Sequence, residues 1–470
     1  MSFEWKQVRL GDFIDSCLGK MLDQKKNRGT FHPYLGNSNV RWGEFDLSNL
    51  SEMKFEDTEH ERYSLKKGDL VVCEGGEPGR CAIWDDEIPG MKIQKALHRI
   101  RTLPGLNSGY LYYWFLFSGK KGTLEPYFTG TTIKHLTGRS LADLTIRLPS
   151  VKYQEKCALI LSSIDRKINH NKKINQTLEQ MAQALFKSWF VDFEPVKAKM
   201  AVLDAGGSQE DATLAAMTTI SGKGADALAV FEHEHPEQYA ELKATAELFS
   251  SALQEGEQGE APEGWTLSEI GKEIDIAGGA TPSTKTPEFW ENGDVNWTTP
   301  KDLSNLKDKI LLHTERKITK TGLGKISSGL LPVNTVLMSS RAPVGYLAMA
   351  KTPVAINQGY IAMKCNNDLS PEFVLQWCVS NMPEIVSRAS GTTFAEISKK
   401  NFNPIPLVKP PVILVEYYTK KVSSIYSLIE NNARENNSLT QLRDNLLPKL
   451  LSGEITLPEA EQAVSEVENV

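Results

Sequence analysis

The stretch GTTIKHLTGRSL at Gly130–Leu141 returns, altered, as GTTFAEISKKNF at Gly391–Phe402, 261 residues further on. A solenoid repeats every 20–50 residues. This period is that of a whole domain plus its connector, so the chain must fold one domain twice. The match extends backwards: WKQVRLGDFI from Trp5 answers to WTLSEIGKEI from Trp265. KKGDLVVCEGGEPGRCAIW answers to LPVNTVLMSSRAPVGYLAM, each an apolar strand, a Pro/Gly turn and a second strand. Gln94 and Gln358 fall in matching strand-like runs, and Trp114 and Trp377 in matching helical ones. Forwards the register holds without gaps, pairing Pro149 with Pro410, Glu155 with Glu416 and Leu185 with Leu446.

Each copy therefore has two parts. The first mixes short β-like runs with helices and reads as α+β. The second reads as one long helix, entered through Pro149/Ser150 or Pro410/Pro411, where a helix tolerates proline. Apolar residues recur at 3/4 spacing, the spacing of a coiled-coil seam: Leu161, Ile164, Ile168, Leu178 and Leu185 in one helix, Val422, Ile425, Ile429, Leu439 and Leu446 in the other. Both seams carry asparagine at the same two positions, Asn171 and Asn175, Asn432 and Asn436. A polar seam residue costs stability and fixes register. The stripes could instead face the globular domains, but the matched asparagines favour two helices packed on each other, antiparallel about a pseudo-two-fold axis. The cluster Phe186, Trp189, Phe190 and Phe193 closes the first helix and reads as core.

The boundaries expected are 1–149 and 263–409 for the two α+β domains, and 150–200 and 410–454 for the helices. Residues 201–262 form an acidic helical insert without counterpart, and 455–470 an acidic, frayed tail. The net charge of −6 conceals this insert, which holds 12 acidic and 2 basic side chains; the remainder is mildly basic and permits a DNA partner. Six scattered cysteines with no C-x-x-C pair predict reduced thiols. No run of about 18 apolar residues is present. MSFEWKQVRL lacks a signal-peptide pattern, so a cytoplasmic protein with no membrane partner is expected.

Catalytic motifs fail on inspection. TGLGKIS (Thr321–Ser327) resembles a phosphate loop, but Thr319 stands at its first glycine and Ile326 where Ser or Thr must hold Mg²⁺. NPIP (Asn403–Pro406) lacks the aromatic on which a flipped base would stack. His233 and His235 have no third ligand at zinc spacing. A duplicated, non-catalytic domain on paired helices is suited to reading two half-sites on one duplex. Helices of about 35–40 residues span roughly 50–60 Å, enough to separate two readers by one turn of DNA.

At this point the chain resembles the DNA specificity subunits of type I restriction–modification systems. The resemblance covers nearly all of the chain. It is carried by GGATPSTKTPEFWENGDVNWTTPKDL (278–303), SSRAPVGYLAM (339–349), INQGY (356–360), SGTT (390–393), LFKSWFVDFEPVKAK (185–199) and LLPKLLSGEI (446–455). It implies two target-recognition domains reading the halves of a split sequence in double-stranded DNA, and an antiparallel coiled coil between them. It implies partners too: two methyltransferase subunits around that scaffold, with restriction/translocase subunits outside. S-adenosylmethionine, Mg²⁺ and ATP would be held by those partners and none by this chain. Copy one departs from the pattern, with EGGEPGR in place of SSRAPVG and no TPS stretch.

Polar loop residues are the candidate DNA contacts, since Arg pairs bidentately with guanine, Asn with adenine, and Lys or Arg with phosphate. In copy one these are Lys25, Lys26, Arg28, His32, Tyr34, Asn37, Ser38, Asn39 and Arg41; in copy two Thr281, Ser283, Lys285, Thr298, Thr299, Lys301 and Arg341. The glycine–threonine turns are expected either to shape the junction with the helix or to touch phosphate. The competing reading is a stand-alone DNA-binding or adaptor protein of duplicated domains, acting without a methyltransferase.

Overall fold

The structure, a computed structural model, describes residues 5–23, 27–256, 259–304, 306, 308–391 and 395–468. It divides into two compact units, Met1–Asn169 with Asn436–Val470, and His170–Glu435.

In the first unit a four-stranded antiparallel sheet runs in the order Ile14–Leu18, Leu97–Thr102, Leu70–Cys73, Cys81–Ile83. A three-stranded sheet places Thr30–Leu35 between Ser51–Phe55 and the short parallel strand Lys92–Ile93. Lys6–Arg9 pairs with Thr145–Leu148, tying the domain's ends together where the long helix begins.

The second unit repeats this plan. Asp275–Ala277, Tyr360–Lys364, Val336–Ser339 and Leu347–Ala350 form the same sheet, widened by a parallel strand, Ile310–Leu311. Val295–Thr298 lies between Arg316–Ile318 and the parallel strand Ala355–Ile356. Thr266–Glu269 pairs with Pro406–Lys409.

Hydrogen bonds define which residues are equivalent. Gln94 donates its amide to the Leu35 carbonyl as Asn357 does to that of Thr298, at 3.0 and 3.1 Å. Gln94 therefore corresponds to Asn357 and not to Gln358, which corrects the alignment read from sequence by one residue. The turns differ in sequence but not in build. Gly79 donates to Cys73 as Gly345 does to Ser339, and Gly76 and Ala342 both take positive φ, +76° and +57°. The glycine at 76 accepts that conformation without strain; copy two reaches it with alanine.

The long helices span Val151–Phe190 and Val412–Ser452. Within the first unit Tyr153 donates to the Leu450 carbonyl (3.0 Å), and Arg443 pairs with Asp165 (2.7 Å). Within the second, Asn171 donates to Glu435 (2.7 Å) and Asn175 to the Ile429 carbonyl (3.2 Å). Partners on one helix fall in number as those on the other rise, so the pairing is antiparallel. Asn432 donates to the Asn175 Oδ1 at 2.8 Å, so these two seam amides satisfy each other. The stripes serve both purposes weighed from sequence. Ile164, Ile168, Leu439 and Leu446 join the core of the first domain's helical layer; Ile429 is buried in that of the second, with Leu178, Leu185 and Ile425 against it. Asn436 is likewise buried.

Phe186, Trp189 and Phe190 are core, packed around Phe373 and Tyr418. A short helix, Glu194–Asp204, crosses the boundary expected at residue 200, and the insert continues as the short helices Gln209–Ser221, Ala225–Glu234 and Pro236–Glu247, with a small core of Ala216, Met217, Leu228, Leu242 and Ala246. The expected frayed tail is a helix, Leu457–Glu468, because Ala460 and Val464, one turn apart, bury against the first unit's core. All six cysteines are free, and burial pushes the Cys73 thiol up to about 11 and that of Cys157 to about 12. No described helix is long and apolar enough to cross a membrane.

Candidate nucleic-acid interface

Each domain opens an equivalent cleft at the end of its parallel strand pair. The strand Thr30–Leu35 runs into a short turn where Asn39 Oδ1 accepts the Gly36 amide at 2.9 Å; Val295–Thr298 ends likewise, with Asp302 accepting the Thr299 amide at 2.8 Å. A short polar side chain that captures a nearby backbone N–H favours such turns over continued strand. The opposite wall is the turn after Cys73 or Ser339, and the residue following the parallel strand, Gln94 or Asn357, lies between. The first cleft, of about 640 Å³, is lined by Tyr34, Asn37, Ser38, Arg41, Arg80 and Gln94 among others. The second, of about 480 Å³, is lined by residues that include Thr299, Lys301, Ser304, Arg341, Tyr346 and Asn357.

Cations at both mouths are held by acids. Arg80 pairs with Glu77 at 3.1 Å and donates through Nη2 to the carbonyl and side-chain oxygens of Asn37, both at 3.0 Å. Its Nε is buried, and the guanidinium also bonds the Cys73 thiol. Arg41 bonds the Ser38 carbonyl and lies 3.7 Å from Asp46. Lys301 pairs with Glu315 at 2.9 Å, and Arg341 lies 3.7 Å from Glu396. Exposed pairs of this kind contribute about 0–1 kcal/mol, so a phosphate can displace the carboxylate at little cost.

Beneath the first cleft lies a charged cluster. Lys92, 1% exposed, bonds Ser64 at 2.5 Å and approaches the His60 ring nitrogen at 3.0 Å. Burial lowers the Lys92 pKa. Burial, with Lys92 and His60 adding, also lowers that of His32, whose ring meets His60 edge-on at 4.6 Å. The strand registers place Val295 and Ala355 at these positions in the second domain.

The structure sorts the candidates named from sequence. Tyr34, Asn37, Ser38, Asn39 and Arg41 converge on the first cleft, and Thr299, Lys301 and Arg341 on the second. Arg28 is exposed on the loop before the cleft strand, whereas Lys25 and Lys26 lie outside the described residues. His32 belongs to the charged cluster under the strand. Thr298 is fully buried and shares a 2.9 Å hydrogen bond with the Tyr360 hydroxyl, which makes it part of the core and corrects its assignment as a base contact. Thr281, Ser283 and Lys285 are exposed on the TPS loop, with Thr281 bonded to Gln358 at 2.7 Å.

Sequence reasoning missed Ser304, three residues beyond Lys301, and also Arg80, Gln94, Tyr346 and Asn357, which stand far along the chain from the cleft strands. Pairing the two copies by turn length would have found them. The exposed turn Gly130–Lys134 is pinned by the Leu136 amide, which donates to the Glu74 carbonyl at 2.7 Å, beside the cleft's turn. It does not lie at the helix junction; Thr392 and Thr393 of its counterpart lie outside the described residues. No cluster of metal-ligating side chains occurs among the described residues.

The type I restriction modification DNA specificity domain family matches the chain twice, over residues 3–180 and 262–441. The chain is 31% identical to the type I restriction enzyme HindI specificity subunit of Haemophilus influenzae, over 96% of this chain and 100% of that one. It is also 31% identical to the MjaIX specificity subunit of Methanocaldococcus jannaschii, over 41% of this chain and 45% of its relative. The fold resembles the crystal structure of the type I restriction–modification S subunit from M. genitalium, with TM-score 0.50 at 15% identity, covering 95% and 96% of the two chains. With both copies matched and a full-length relative at this identity, the chain belongs to the family of type I restriction–modification DNA specificity subunits.

Proposed function

We propose that this chain is the sequence-reading subunit of a type I restriction–modification complex and that each domain reads one half of a split target. The observation that carries this reading is the pair of equivalent clefts, built on one backbone plan and lined by different donors and acceptors. Two copies of one reader with unlike linings are what a target with two unlike halves requires. Polar, cationic side chains on an open surface suit base edges and phosphates better than a small apolar substrate.

The chain itself carries out no chemistry in this proposal. Methyl transfer from S-adenosylmethionine to adenine belongs to two methyltransferase subunits assembled on this one, and ATP- and Mg²⁺-dependent restriction belongs to further subunits. The complex works on chromosomal DNA in the cytoplasm.

A domain exchange tests this. Residues 263–409 are replaced by the same segment of another specificity subunit, and methylated adenines are mapped in cells that supply the methylation subunits. One half of the target should change and the other persist. A change in both halves, or methyl transfer by the purified chain alone, would overturn the reading.

A further inference from the structure

The clefts keep their frame and change their lining. Hydrogen-bond equivalence matches Arg41 with Ser304, Arg80 with Tyr346 and Gln94 with Asn357. The residues behind them stay apolar in both copies: Val40 answers to Leu303 and Ile93 to Ile356, all buried. Packing therefore does not demand the differences at the mouth.

One of these groups is lightly held, and another has hydrogen-bonding capacity that the described residues do not use. The Arg80 Nη1 is held by Glu77, a carboxylate that is 54% exposed, so a ligand can take its place. The Gln94 side-chain amide bonds none of the described residues and faces the cleft with a donor and an acceptor side by side. Asn357 differs: its Oδ1 is committed to the Gly359 amide at 2.9 Å, which leaves Nδ2 as a donor.

Resting on the reading of the chain as a DNA specificity subunit, we propose that positions 41, 80 and 94 select the bases of one half-site and positions 304, 346 and 357 those of the other. Gln94 reads adenine, its oxygen accepting from N6 and its nitrogen donating to N7. Arg80 directs its Nη1 to a purine acceptor such as N7 or O6. Asn357 donates to a base acceptor, so the second half need not carry adenine at the equivalent place.

The test uses the full chain assembled with its methylation subunits and a library of duplexes randomised across the target, with the methylated products sequenced. Gln94→Ala should lower the preference for adenine at one base pair of one half by about tenfold and leave the other half intact. Gln94→Glu, nearly the same size, should move that preference toward cytosine, whose N4 donates to a carboxylate. It also covers the case in which alanine unsettles the cleft. Asn357→Ala should relax the opposite half alone. If the wild-type complex reads a split target but neither Gln94 variant alters it, the assignment of these positions is overturned while the family function stands. Loosening of both halves by either Gln94 variant would overturn it equally. A wild-type complex with no split target would instead sink the reading beneath it.

Discussion

Under one backbone plan the first domain buries charge where the second is apolar or merely polar. Asp69, 1% exposed, takes both Nε and Nη2 of Arg101 at 2.7 Å; the matching positions are Thr335, bonded to the Pro332 carbonyl at 2.8 Å, and Lys364, which turns to Asp275. His98 donates to the buried Leu136 carbonyl, and its match is Ile361. Lys92 matches Ala355. The fold thus does not depend on any of these polar groups. It is carried by turns and by apolar positions that alternate in phase, and a buried ion pair is accepted wherever both partners arrive together. The long helices differ as well. The first ends in a knot of aromatic rings, the second in Leu446, Leu447 and Leu450.

Three experiments break or sharpen this contrast. Phe186→Ala should have the largest effect. The ring touches Phe190, Phe373 and Tyr418 and is 1% exposed, so truncation should cost about 3–5 kcal/mol. Hydrogen exchange should show protection falling across residues 170–435 first; equal loss across the first unit would mean that the two cores are not separate.

Asp69→Thr imports the second domain's solution without its context. It strands a guanidinium that is 29% exposed, and a loss of about 2–3 kcal/mol is expected, less than for a fully buried pair. Adding Arg101→Lys should recover only part of it, since the acid that Lys364 uses, Asp275, is matched to Asp15 only through the strand register. A neutral Asp69→Thr in denaturant titration would show that the pair is dispensable in the folded domain as well.

The smallest effect is that of pH. Burial lowers the His98 pKa below its ordinary 6.5, with the Leu136 carbonyl and Glu74 opposing. The unfolded chain therefore binds the proton first as pH falls. Stability is whole above about 6.5 and is lost on descent through the folded value. The first domain should weaken on mild acidification before the second, and His98→Ile should flatten that dependence. Acid unfolding followed domain by domain that shows no difference between wild type and His98→Ile would refute this contribution.

Much of this was readable in the chain. The duplication, the helix starts after Pro149 and Pro410, the seam residues and the aromatic core all rest on local patterns. Three readings failed for identifiable reasons. Gln94 was matched to Gln358 because identity of residue type drew the alignment off by one; only the ladder of hydrogen bonds fixes a strand's register. Thr298 looked like a surface donor, yet strand alternation turns it inward to Tyr360. The tail looked frayed because its glutamates mask Ala460 and Val464, whose burial needs a surface the sequence does not display.

By itself the sequence determined that one α+β domain is made twice, that each copy leads into a long helix with paired asparagines, and that an acidic helical segment interrupts the repeat. These follow from periodicity, turn residues and charge, which act over a few neighbours. The tertiary structure alone decided that Arg80 and Gln94 meet Asn37 and Arg41 in one cleft, and that Tyr346 and Asn357 meet Lys301 and Ser304 in its twin. Those residues are brought together by the parallel pairing of Thr30–Leu35 with Lys92–Ile93 and of Val295–Thr298 with Ala355–Ile356. Such a crossover joins segments tens of residues apart, and no local pattern in either segment encodes which partner it will find.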